Sequence, residues 1–213
     1  MPRIGLIHAL RHSPAPIAAA FARLWPEAVL ANVLDDSLSA DLAAAGRIDT
    51  AMTERFLALG RYARRCGADA ILFTCSAFGP CIEAVAADLA PVPVLKPNEA
   101  MIAEALAIGR RIGLLSSFAP TLVSMPPEFL AADPAVKLLP MLAEGALAAL
   151  DAGDPGTHDR LAAEAARRIG DCDVIVLAQF SLSQAAGAVA AATGRRVLTT
   201  PESAVRRLRT LLR

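Results

Sequence analysis

One cysteine stands where the sequence favours a reactive group. The segment Phe73-Thr74-Cys75-Ser76-Ala77-Phe78-Gly79-Pro80 runs from an apolar stretch through a polar loop into a helix. Pro is well tolerated in the first turn of that helix. This order puts Cys75 near a helix N-terminus, where free backbone N–H groups attract anions and favour thiolate over thiol. Ser76 adds a hydroxyl and another N–H, so the loop is suited to hold a carboxylate beside a reactive sulfur. The alternative is that Cys75 is a small buried apolar residue. Of the three other cysteines, Cys66 ends a helical pattern, Cys81 lies inside one and Cys172 precedes a strand. All three read as structural. No CxxC spacing and no Cys/His set is present, so no metal site is expected.

Placing Cys75 at the end of a buried strand requires a sheet, and the rest of the chain supplies the pattern for one. Short apolar runs at 4–8, 28–33, 70–74, 92–95, 112–115, 136–139, 174–177 and 196–198 read as strands. Helical patterns occupy 15–24, 50–66, 80–89, 99–108, 121–131, 142–150, 158–169, 183–193 and 202–212. Strands alternating with helices predict parallel sheets flanked by helices.

The pattern also repeats. Arg3-Ile4-Gly5-Leu6-Ile7 returns as Arg111-Ile112-Gly113-Leu114-Leu115. The run from Ala68 to Cys75 has its counterpart between Cys172 and Gln179, and Val94-Leu95 has one in Val197-Leu198. The copies come in the same order at nearly constant spacing. The predicted fold is therefore α/β, with two similar lobes related by a pseudo-twofold axis. One lobe is expected at 1–98 with 197–213 and the other at 99–196, the alternative being one two-lobed domain over 1–213. A site would be built from the carboxyl ends of corresponding strands.

Composition removes several function classes. Twenty-one basic and 21 acidic residues cancel, and no basic patch is concentrated enough for nucleic acid. No apolar stretch is long enough to span a bilayer. The N-terminus runs directly into a strand pattern, so no export signal is expected and a cytoplasmic, reduced protein is the default. The chain is compatible with a monomer or a homo-oligomer.

The Cys75 loop, the Gly67–Thr74 run before it, the stretch Arg111-Ile112-Gly113-Leu114-Leu115-Ser116-Ser117-Phe118-Ala119-Pro120-Thr121 and the two-lobed repeat resemble the aspartate/glutamate/hydantoin racemase superfamily. The resemblance implies a cofactor-independent enzyme acting at the carbon next to a carboxylate or a hydantoin carbonyl, with a small carboxylate as its partner. It further implies a pair of cysteines, one removing the α-proton and one returning a proton to the opposite face. Cys75 matches the first. The repeat puts Gln179, within one residue, where the second should stand. Gln transfers no proton near neutral pH, although its amide donates hydrogen bonds.

Three chemistries remain. Cys75 acts as sole acid/base, as in an arylmalonate-type decarboxylase; or it adds as a nucleophile to an activated double bond; or His8 or His12 supplies the second proton. A carboxylate-binding protein without catalysis is the rival of another class. His8, Ser13, Ser76, Ser117, Thr121 and Ser181 are the expected substrate-binding residues, with Ser181 and Ser183 expected to cap the helix after Gln179. Asp35 to Ser39, after the second strand, are a further candidate lining. Asn98 and Glu99 are expected to start a helix.

Overall fold

The computed structural model describes residues 1–213. The chain divides into two compact units, Met1–Pro97 with Ala204–Arg213, and Asn98–Ser203. The first contains β1 (Arg3–His8), α1 (Pro14–Leu24), β2 (Val29–Leu34), α2 (Leu38–Ala45), α3 (Thr50–Arg65), β3 (Ala70–Phe73), α4 (Gly79–Asp88) and β4 (Val94–Leu95). The second contains α5 (Glu99–Ile108), β5 (Arg111–Ser116), α6 (Thr121–Ser124), α7 (Pro126–Ala132), β6 (Lys137–Leu142), α8 (Ala146–Asp151), α9 (Pro155–Arg167), β7 (Val174–Leu177), α10 (Ala186–Thr193) and β8 (Val197–Thr199). The last helix, α11 (Thr200–Leu211), starts in the second unit and ends in the first.

Each unit holds a four-stranded parallel sheet, in the orders β2-β1-β3-β4 and β6-β5-β7-β8. Both inner strands of each sheet are buried nearly end to end. That is why they read as unbroken apolar runs: a parallel sheet covered on both faces has no polar side to present. β8 pairs with β7 in the second sheet. Residues 197–199 thus lie in the second unit, and the boundary expected at 197 moves to 204.

The two sheets share a locking device. Asp69 takes the N–H of Arg3 on its carboxylate at 2.7 Å and returns its own N–H to Arg3 O. Asp173 does the same for Arg111, at 2.8 Å. Each aspartate therefore satisfies the first N–H of an inner strand that has no ladder partner.

Neighbouring helices pack closely where a small residue sits at their contact. A methyl group added at Gly60 of α3 would collide with Val85 Cγ1 of α4. Val85 is fully buried and β-branched, so it has little freedom to move aside. Gly60→Val is expected to lower stability by about 1–3 kcal/mol through overpacking, read as a lower urea midpoint with an unchanged slope.

The local departures from expectation have physical reasons. β6 continues through Pro140 to Leu142 because it is an edge strand, where a missing N–H costs no ladder bond. The helix expected from 142 therefore starts only at Ala146, after Gly145 at φ 77°. α9 begins at Pro155 rather than 158, since Asp154 caps it by accepting the Thr157 N–H at 2.9 Å. The helix expected over 121–131 is split at Met125, ahead of the Pro126-Pro127 pair. α2, which the sequence reading leaves as loop, buries only Leu38. No helix is long and apolar enough to cross a membrane.

Candidate active site

Cys75 follows β3 in extended conformation, and a short 3-10 turn, Ser76–Phe78, leads into α4. The loop is anchored from below by Phe78, which is fully buried with its ring 4.8 Å from that of Phe56. Phe56 also stacks on Phe73, 5.3 Å between centroids. Burying a ring of this size is worth about 1.5–3 kcal/mol, so the turn after Cys75 is fixed by the core. The Cys75 side chain is half-buried and packs against this same cluster.

Burial pushes the Cys75 thiol above its ordinary pKa, and the N–H of Ala77 opposes this only in part. The expected enrichment of thiolate is thereby corrected. A three-residue turn offers the sulfur one N–H, too little to offset removal from water. The resting group is a thiol.

The residue before Cys75 is held from the side. The Thr74 N–H donates to Ile7 O at 3.0 Å, and Thr74 Oγ1 lies 2.9 Å from Nδ1 of His8. The His8 Nε2 lies 2.9 Å from Oδ1 of Asn32 on β2. His8 is fully buried, and burial lowers its pKa, the Asn32 bond opposing. The imidazole is therefore neutral near pH 7. Its Nε2–H donates to Asn32, and its Nδ1 accepts from the Thr74 hydroxyl. With both nitrogens engaged, His8 ties three strand ends together and has no free lone pair or proton to offer a ligand. A depressed folded pKa stabilises the fold above the unfolded value and is lost as pH falls. His8→Asn is expected to flatten the fall in melting temperature between pH 7 and pH 5.

The second unit builds its loop at the same register. The Ala178 N–H donates to Leu115 O at 2.9 Å, as Thr74 does to Ile7, so Gln179 follows β7 where Cys75 follows β3. Gln179 Oε1 receives the Ser117 N–H at 2.8 Å and the Ser117 hydroxyl at 3.0 Å, with Ser116 Oγ at 2.9 Å. A backbone N–H is always a donor, so the atom facing Ser117 is the amide oxygen. The Nε2 of Gln179 has no protein partner and points its two N–H groups elsewhere. Both donors of Ser117 are spent on Gln179. The fully buried Leu182 anchors this loop as Phe78 anchors the other.

The remaining candidates divide by what they touch. Ser13 is buried ahead of α1, without a side-chain capping bond. Ser76 is exposed, Thr121 and Ser181 are half-buried, and the hydroxyls of all three are free of protein partners. Ser181 and Ser183 do not cap α10: a 3-10 turn over Ser181–Ala185 intervenes, and Ser183 donates back to Phe180 O at 2.7 Å. Asp35 is committed to Arg55 and Ser37, and Arg11 pairs with Asp36. Asn98 precedes α5 but points its amide at Glu128. His12 is exposed in the loop after β1. Cys81 and Cys172 are buried, and Cys66 ends α3. Sequence reasoning does not single out Asn32 or the anchoring role of Phe78. Only the apolar residue three places after each loop's key position, Phe78 and Leu182, was there to be noticed.

The sequence pattern of the family described as Asp/Glu/Hydantoin racemase matches residues 17–208. No curated protein sequence matches the chain. Among solved structures, glutamate racemase RacE1 from Bacillus anthracis is similar at 13% identity, over 99% of this chain and 81% of that one, with a TM-score of 0.70. Allantoin racemase from Klebsiella pneumoniae is similar at 20% identity, over 100% and 88%, with a TM-score of 0.72. Unliganded arylmalonate decarboxylase is similar at 20% identity, over 98% and 93%, with a TM-score of 0.64. At these identities the likeness is one of fold.

Proposed function

The chain belongs to the Asp/Glu/hydantoin racemase family, and from that premise we propose a cofactor-independent racemase- or isomerase-type enzyme. It acts at the carbon alpha to a carboxylate or hydantoin carbonyl, and Cys75 is its one acid/base thiol. The observation that carries this reading is the Cys75 loop: a half-buried thiol at a strand end, fixed by Phe78 below and Thr74 beside it. Removing the α-proton leaves negative charge on the neighbouring oxygens, and neutral donors stabilise it. Gln179 Nε2 and the hydroxyls of Ser76, Thr121 and Ser181 are free to donate. Ser117 acts through Gln179, and His8 and Ser13 support the loops around them.

A proton taken by Cys75 as thiolate turns it into the thiol, and the same thiol returns a proton to the carbanion. With Gln179 at the counterpart position, exchange of the α-proton is expected to outpace loss of chirality. The raised Cys75 pKa favours a second reading. A resting thiol is better suited to give a proton than to take one, which fits a decarboxylase: loss of carbon dioxide leaves a carbanion that Cys75 protonates.

One experiment separates them. Carboxylates, malonates and hydantoins are incubated with the protein in deuterium oxide, and deuterium uptake, optical rotation and carbon dioxide are followed. Uptake at the α-carbon without gas release supports the first reading; gas release, with deuterium in the decarboxylated product, supports the second. Binding without either outcome leaves a ligand-binding protein and sinks both.

A further inference from the structure

We infer that Phe118 selects the substituent on the α-carbon, and that the ligand it favours carries an apolar group there rather than a second anionic one. The inference rests on the reading above that the ligand is a small carboxylate or hydantoin. Phe118 is 48% exposed although it sits in a tightly made loop. Its N–H donates to Ser116 Oγ at 3.0 Å, and the Ser116 hydroxyl has Phe118 O at 2.8 Å and Gln179 Oε1 at 2.9 Å as acceptors. One serine therefore fixes both the Phe118 backbone and the Gln179 amide. A ring held open to solvent by the group that orients a free donor is a preorganised apolar contact. The corresponding position in the loop after β1 also holds an exposed apolar residue, Leu10, at 46%.

The charges around these loops point the same way. Neither 112–127, through the β5 loop, nor 174–194, through the β7 loop, contains a charged residue. The other two loops at this edge of the second sheet contribute only acidic groups, Glu144 after β6 and Glu202 after β8. An apolar substituent gains contact with Phe118, whereas a second carboxylate meets no cation on these four loops of the second unit.

The test compares 5-benzylhydantoin with 5-(carboxymethyl)hydantoin, which share a ring and differ in the substituent. Affinity is measured by calorimetry, and exchange of the ring C–H by NMR in deuterium oxide. The protein is expected to bind the benzyl compound at least about tenfold tighter, roughly 1.4 kcal/mol. Phe118→Ala is expected to remove most of that preference and Phe118→Leu to keep most of it, with circular dichroism checking the fold. Preference for the carboxymethyl compound, equal losses for both in Phe118→Ala, or no binding of either overturns the inference. Benzyl-selective binding with no exchange overturns the proposed chemistry and leaves the selectivity standing.

Discussion

Cys75→Ala and Cys75→Ser will lower turnover by a factor of about 10²–10⁴, the usual share of a positioned acid/base group, and will leave the fold intact. The loop does not depend on the sulfur for its shape. Phe78 buries its ring below it, and Thr74 is bonded to Ile7 and His8 beside it. The serine variant separates acidity from size, since its hydroxyl is far harder to ionise. Wild-type activity in either variant, confirmed by mass spectrometry and far-ultraviolet dichroism, removes Cys75 from the mechanism.

The pH profile carries a further consequence of the same burial. The Cys75 pKa is raised, chiefly by removal from water. If the thiolate takes the proton in the slow step, kcat/KM climbs tenfold per unit through neutral pH and levels only above the raised pKa. If the thiol gives the proton, the rate is flat through neutral pH and declines above it. The sign of the slope thus distinguishes the two proposed chemistries without any change of substrate.

The alternating fold is legible in the sequence because a parallel sheet covered on both faces must write its inner strands as apolar runs. β3 and β7 are such runs, each opened by an aspartate that closes the neighbouring strand. α2 is not legible for the opposite reason: it buries one leucine, so its period carries little signal. Pro140 and Pro155 mislead because a proline's meaning depends on whether it sits at a sheet edge or behind a cap. At the site, the position of Cys75 follows from local order, strand then polar loop then helix. Its protonation does not, because that depends on how deeply the core buries the sulfur. The commitment of His8 to Asn32 and Thr74 joins residues 24 and 66 positions apart, beyond the reach of any local pattern.

Gln179→Glu will keep the loop and lose the activity. The oxygen that receives Ser117 N–H and Oγ is common to both side chains, so the anchor at 2.8 and 3.0 Å survives. What changes is the other end of the group, where two N–H donors give way to a carboxylate oxygen. Removing one donor to a developing oxyanion typically costs about 10²–10³ in rate, and a like charge adds repulsion of the substrate carboxylate. Thermal stability should stay within about 1 kcal/mol of the parent, because charge-assisted bonds to Ser117 are at least as strong as those they replace. Gln179→Cys completes the argument from the other side. It removes the donor but places a thiol at the register position matching Cys75. Loss of optical rotation should then keep pace with deuterium uptake, where the parent exchanges faster than it racemises. Unchanged kinetics in Gln179→Glu would show that the free amide donates to nothing during turnover, and the role assigned to Gln179 would fall with it.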